Sequence, residues 1–168
     1  PRNMVANDLD TYRVGANGRE QLWTTDSYTS NPYWKLYNKV NWDEKHRFQG
    51  VFSTKINFTP TLNLLVRSGM DLTNRQWHQH TAKGSVNAGI NGSVSNSNGT
   101  DLEWNSDFLL GYHPSLTGDL RYTVSLGGNY RYNTGSGLSQ WGSNLKINDY
   151  FVISNAGTRR QVELFLRT

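Results

Sequence analysis

Apolar and polar residues alternate along four stretches of the chain, which is the pattern of β-strands with two different faces. The stretches cover residues 47–58, 62–72, 103–113 and 120–132. Their apolar faces carry no Asp, Glu, Lys or Arg, whereas every opposite face carries charged residues. The pattern therefore predicts four amphipathic strands, and a further strand-like run is expected to start near residues 160–168.

The length and spacing of these stretches favour a membrane-spanning sheet. Each has about 11 to 13 residues, longer than the ~5–6 of a typical soluble strand and close to the ~9–11 that cross a bilayer at a tilt. Short turns are predicted at 59–61 and 114–119, and long polar loops at 73–102 and 133–157. Outer-membrane barrels alternate short periplasmic turns with long extracellular loops. We therefore predict an all-β fold, a segment of an antiparallel up-and-down transmembrane β-barrel.

Composition narrows the function classes. Charged residues make up 18% of the chain and aromatic residues 12%. The chain has no cysteine, which excludes a disulfide scaffold and a thiolate metal site. The net charge is +4, but the basic residues are scattered and fit no nucleic-acid-binding motif, so we expect no nucleic-acid partner. No apolar run is long enough to predict a transmembrane helix.

Six segments between residues 28 and 157 carry a resemblance to a known family. They are NPYW at 31–34, RFQGVF at 47–52, LNLLVRSGMD at 62–71, EWNSDFLL at 103–110, LGGNY at 126–130 and DYFVISNA at 149–156. In this order and spacing they resemble the SusC/RagA family of TonB-dependent outer-membrane nutrient transporters. The resemblance implies a large barrel of the ~22-stranded class with an internal plug, which imports glycans or peptides.

The resemblance also implies a location and a set of partners. It places the chain in the bacterial outer membrane, in contact with outer-membrane lipid, a SusD-like surface lipoprotein and an oligosaccharide or peptide substrate. No plug domain, TonB box or signal sequence is recognisable in the chain. We therefore expect residues 1–168 to be a partial β-barrel domain that depends on a missing N-terminal part to reach the TonB complex. No cofactor is expected.

Five residues in the predicted loops are candidates for substrate contact. Trp34, Trp77 and Trp141 offer aromatic surfaces that can stack on sugar rings or pack against peptides. His78 and His80 form a His-x-His pair, which can place two imidazoles on one side of a strand. No third ligand stands at a useful spacing, so the sequence predicts no metal site.

Charged residues on the polar faces are expected to face the lumen of the barrel. We expect them to contact the plug or to hydrate the wall. They are Lys55, Arg67, Asp71, Asp107, Arg121 and Arg131.

Two other function classes compete with the transporter interpretation. A soluble all-β carbohydrate-binding module would bury the same apolar faces between two sheets. A hydrolase would need a nucleophile elbow or a recognisable pair of catalytic carboxylates, and the sequence shows neither. We therefore expect no enzymatic activity.

Overall fold

The computed structural model describes residues 13–21, 29–86, 91–114 and 122–167 of the chain. Within these ranges, five strands form one antiparallel sheet in which each strand pairs with the next along the chain. The strands are β1 (Lys39–Thr59), β2 (Leu62–Thr81), β3 (Ser93–Tyr112), β4 (Val124–Leu145) and β5 (Ala156–Arg167). The predicted antiparallel up-and-down strand order is confirmed, in a chain that is mostly β. The described sheet is open, with β1 and β5 at its edges.

The strands are longer than predicted, and the long loop expected at 73–102 is wrong over most of its length. β2 continues to Thr81 and β3 already begins at Ser93. Polar side chains link the two extensions: the Asn74 side-chain amide donates to Thr100 Oγ1 at 3.2 Å. The extensions are polar on both faces, so they lack the apolar alternation that identified the central parts of the strands.

The same correction applies to the ends of β1 and β4. β1 begins at Lys39 rather than at residue 47, and β4 continues to Leu145 rather than ending at 132. The loop predicted at 133–157 is therefore strand as far as Leu145. The predicted fifth strand is confirmed, and it begins at Ala156.

The turn predicted at 59–61 is confirmed. Thr59 Oγ1 accepts hydrogen bonds from the backbone N–H groups of Thr61 at 3.3 Å and Leu62 at 3.0 Å. This side-chain acceptor closes the turn around Pro60, which has no N–H of its own to donate. The second predicted turn, at 114–119, lies outside the described residues except for Pro114.

A short helix, α1 (Pro32–Asn38), precedes β1 in place of the loop predicted around Trp34. The side chain of Asn31 caps it by accepting a hydrogen bond from Tyr33 N at 2.9 Å. Proline at the first helical position has a suitable φ and needs no hydrogen-bond partner, so Asn31-Pro32 starts a helix efficiently. A 3₁₀ helix, Ile153–Asn155, precedes β5. No helix in the described ranges is long and apolar enough to span a membrane.

The chain divides into two compact units, each formed by parts of several strands. The first unit comprises residues 1–44, 75–98 and 137–163. Its core contains the buried side chains of Val94, Leu145 and Ala156, with Phe151 and Ile153 packed against them.

The second unit has a different organisation. It comprises residues 45–74, 99–136 and 164–168. Among its described residues, no large hydrophobic side chain is fully buried. The described part of this unit is therefore a single layer of sheet without a fully buried apolar core.

Candidate functional site

The even-numbered residues of β1, β3 and β4 give the second unit an exposed apolar face. Phe52 is 64% exposed, Leu126 66% and Tyr130 67%. Other exposed members of this face are Phe48, Ile56, Phe58, Trp104, Phe108, Tyr112 and Val124. Side chains of this type are usually buried, so many of them exposed on one face indicate a surface that contacts another apolar phase or molecule.

Three polar groups on this apolar face hydrogen-bond to one another. The indole Nε1 of Trp104 donates to Ser68 Oγ at 2.9 Å and approaches Ser106 Oγ at 3.0 Å. The two serine hydroxyls are themselves 2.8 Å apart. The three groups therefore need few hydrogen bonds from solvent, which suits a surface that is removed from water.

The opposite face of the second unit is held together by ion pairs between neighbouring strands. Arg67 Nε lies 2.9 Å from Asp107 Oδ1 across β2 and β3. Arg131 lies 2.9 Å from a carboxylate oxygen of Glu103 across β3 and β4. These contacts place Arg67, Asp107 and Arg131 on one polar face, as the alternation predicted.

Asp71 forms the third ion pair of this face. It accepts hydrogen bonds from Arg47 Nε at 2.9 Å and from the side-chain amide of Gln49 at 2.8 Å. Lys55 is exposed on β1, at an odd position like Arg47. Arg121, the remaining residue of the predicted lumen-facing set, lies outside the described residues.

A shallow cleft lies beside Asp71 in the second unit. Its polar lining includes Asp101, Glu103 and Asn133. Gly135 keeps it open, because a Cβ at that position would stand 2.7 Å from Asp101 Oδ1. The cleft provides carboxylate and amide oxygens that can bind hydroxyl or amino groups.

The expectation that Trp34 is an exposed loop aromatic is wrong. Trp34 lies in α1 and is 4% exposed. Its indole Nε1 donates to Ser85 Oγ at 2.8 Å, and Ser85 Oγ donates to the carbonyl of Ala82 at 2.9 Å. Trp34 therefore anchors the helix to the segment after β2, and it offers no surface to a substrate.

Trp77 and Trp141 lie in strands rather than in the predicted loops. Trp77 is half-buried in β2, and Trp141 is exposed in β4. The difference arises because both strands continue through polar sequence. Contact of these two indoles with a substrate stays a prediction.

His78 and His80 share one side of β2 in the first unit, as their spacing predicted. His78 Nε2 lies 3.2 Å from His80 Nδ1, and His78 Nδ1 lies 2.5 Å from Asn96 Oδ1 on β3. The ring of His80 stacks on Phe151 with centroids 3.8 Å apart and planes 12° apart.

The environment of His80 disfavours its protonated form. Burial is the main cause that lowers the pKa of His80, and electrostatic repulsion from the neighbouring imidazole of His78 acts in the same direction. His80 lies outside the apolar stretch 62–72 of its strand. Within the described ranges, no group of three or more His, Asp or Glu side chains is arranged to hold a metal ion.

Sequence reasoning missed Glu20, which joins distant segments of the first unit. Its buried carboxylate accepts hydrogen bonds from the backbone N–H groups of Asn31 and Val86, both at 2.7 Å. It also accepts from the Ser30 hydroxyl, and Lys39 Nζ lies 3.7 Å away. No local motif marks this role, because the donors lie 10 to 66 residues away along the chain.

The two units offer different chemistry. The second unit presents an uncharged apolar face and an ion-paired polar face, whereas the first contains a pair of imidazoles and a buried carboxylate.

Comparison of the chain with known protein families and with curated proteins finds no matching family model and no matching protein.

Proposed function

We propose that the chain forms part of the wall of a bacterial outer-membrane transporter of the SusC/RagA-like, TonB-dependent class, which imports glycans or peptides. The observation that carries the proposal is the two-faced sheet of the second unit. Its apolar face is exposed and uncharged, while its opposite face is ion-paired. Exposed apolar surface costs roughly 25 cal/mol per Å², so this face requires a cover. Lipid hydrocarbon can remove this face from water without specific complementary contacts.

The length of the apolar stretch supports a bilayer as that cover. In β1 the apolar face runs from Phe48 to Phe58. At a rise of ~3.4 Å per residue and a tilt of ~40°, this stretch spans roughly 26–28 Å along the membrane normal. That value is close to the ~25 Å apolar band of outer-membrane barrels. The complete strand has 21 residues, and its remainder is largely polar.

Aromatic residues near the ends of the apolar stretches support the same placement. Trp104, Tyr130 and Tyr132 line one cleft on the apolar face, together with Ser106. Aromatic rings with a polar edge favour the interface between lipid and water, where they form the girdles of outer-membrane barrels. We assign this cluster to the outer girdle, and Phe58, Tyr112 and Tyr122 to the inner one.

The polar face then borders the lumen and the plug. Its cross-strand ion pairs suit a hydrated wall, where charged groups retain water. Trp77, Trp141 and the cleft beside Asp71 are the proposed substrate contacts. A SusD-like lipoprotein and the TonB complex are the partners implied by the resemblance.

A soluble carbohydrate-binding module is the principal rival. Such a module would bury its apolar strand faces beneath a second sheet. The described residues contain a single sheet, and Phe52 and Leu126 remain exposed on it. This arrangement favours the membrane over the soluble module.

Solution behaviour tests the proposal. The full chain is purified with and without detergent and analysed by size-exclusion chromatography with light scattering. We expect aggregation without detergent and a discrete species in micelles. A monodisperse monomer without detergent, with a cooperative thermal transition, would contradict the proposal.

Matched variants identify which face causes the aggregation. Phe52→Gln with Leu126→Gln removes two exposed side chains from the apolar face. Val51→Gln with Leu109→Gln removes two exposed side chains from the polar face. We expect the first pair to reduce aggregation clearly and the second pair to have little effect. Equal effects would show that the two faces do not differ.

A further inference from the structure

The two histidines of β2 are close enough to bind one ion together. His78 Nε2 and His80 Nδ1 are 3.2 Å apart. A tetrahedral ion with metal–nitrogen bonds of ~2.0–2.1 Å places two ligand nitrogens about 3.3 Å apart. This separation is that of a hydrogen bond between the two rings, and it also equals the spacing of two ligands of one ion. Ion binding replaces the hydrogen bond, with the proton of a neutral His80 carried on Nε2 instead of Nδ1.

Asn96 determines which nitrogen of His78 is available. Its side-chain oxygen lies 2.5 Å from His78 Nδ1 and can act solely as an acceptor. The proton of a neutral His78 therefore resides on Nδ1, and the lone pair of Nε2 is directed towards His80. A hydrogen bond from the other ring nitrogen to an oxygen acceptor is the usual support for a metal-bound histidine.

The surroundings hold both rings in place while leaving the pair partly accessible. His80 stacks on Phe151 at 3.8 Å, and the ring of Trp42 lies 6.1 Å from that of His78. Both histidines are half-buried rather than enclosed. Water molecules can therefore complete a coordination shell that contains two protein ligands.

We propose that His78 and His80 chelate one divalent transition-metal ion of the class that prefers imidazole ligands, with Cu²⁺ bound more tightly than Zn²⁺. Asn96 is the positioning residue, since it fixes the ring and tautomer of His78. The preference for Cu²⁺ follows from the general order of affinities for nitrogen ligands. Mg²⁺ and Ca²⁺ prefer oxygen ligands and are not expected to bind here.

Binding is measured by titration calorimetry on the full chain, prepared without a polyhistidine tag and in micelles if it requires them. We expect one Cu²⁺ site and a weaker Zn²⁺ site, with no response to Mg²⁺. His78→Gln and His80→Gln should each weaken Cu²⁺ binding more than ~10-fold. His113→Gln is the matched control, because His113 pairs with Asn63 in the second unit and should leave the affinity unchanged.

Asn96 provides a test of positioning. Asn96→Leu should weaken Cu²⁺ binding by ~10-fold or more, whereas Asn96→Asp, which keeps the acceptor, should restore it. Equal affinities in the two variants would contradict the role assigned to Asn96.

Electron paramagnetic resonance of the unmodified chain with one equivalent of Cu²⁺ tests the same proposal. It does not depend on whether any variant folds. We expect hyperfine coupling from two imidazole nitrogens. A spectrum without imidazole coupling, or the absence of saturable Cu²⁺ binding, would overturn the proposal. Neither result depends on whether the chain lies in a membrane, so this test is independent of the proposed transport function.

Discussion

Arg67 Nε lies 2.9 Å from Asp107 Oδ1, and this pair connects β2 with β3 on the polar face of the second unit. The side chain of Arg67 is 54% exposed and that of Asp107 is 24% exposed. Ion pairs that retain water contribute little, typically ~0–1 kcal/mol, whereas a charge left unpaired in an apolar phase costs several kcal/mol. The energetic consequence of breaking this pair therefore reports whether the face is hydrated.

Asp107→Asn should lower the free energy of unfolding by less than ~1 kcal/mol, because water can solvate Arg67 once its partner is neutral. The measurement is a denaturant titration of the chain in lipid vesicles. A loss of ~3–5 kcal/mol would mean that Arg67 is left unpaired in an apolar environment, and it would contradict the lumen-facing assignment.

Leu126→Arg should destabilise the membrane-inserted chain by ~2–4 kcal/mol, because it places a charge on the lipid-facing side near the middle of the apolar stretch. The matched control is Ser125→Arg, one residue earlier and on the opposite face, which should be tolerated. Both are measured by the same denaturant titration. Similar costs for the two substitutions would show that the faces are assigned wrongly.

Trp34→Phe should cost ~1 kcal/mol, since it removes the hydrogen bond to Ser85 and keeps most of the packing. Trp34→Ala should cost ~3–5 kcal/mol because it empties a buried position. Thermal unfolding followed by circular dichroism measures both. Unchanged stability in Trp34→Ala, together with weaker substrate binding, would restore the original interpretation of Trp34 as a contact residue.

Gly142→Ala should destabilise the first unit by ~1–3 kcal/mol, because the new Cβ would stand 2.5 Å from the Cβ of Ala156. Gly137 in the same strand is the control, since a Cβ there would meet Asn98 O at an ordinary 3.6 Å. Hydrogen exchange of β4 amides compares the two variants. Equal protection would show that β4 and β5 separate without cost.

The central parts of β1 to β4 could be predicted because their two faces differ in polarity. The extensions of these strands could not be predicted, because segments such as those around Asn74 and Asn96 are polar on both faces. These segments adopt strand structure because they pair with residues that are distant in sequence, and a local residue pattern gives no sign of that pairing. The start of α1 did have a local signal, because Asn31-Pro32 is a favourable helix cap.

The site was predictable to the same limited extent. The spacing of His78 and His80 places both on one side of a strand, and the structure shows them together. Their partners Asn96 and Phe151 depend on strand pairing and on the segment before β5. The anchoring role of Glu20 depends likewise on backbone groups remote in sequence.

Cysteine scanning along β4 determines which face of the sheet is exposed to water and which is covered by lipid. The chain contains no cysteine, so each substitution introduces a single thiol. Residues 124–132 are replaced one at a time in the chain inserted into lipid vesicles and labelled with a water-soluble maleimide. We expect rapid labelling at odd positions such as Ser125 and Asn129, and protection at even positions such as Leu126. Labelling at equal rates on both faces would contradict the assignment of the apolar face to lipid.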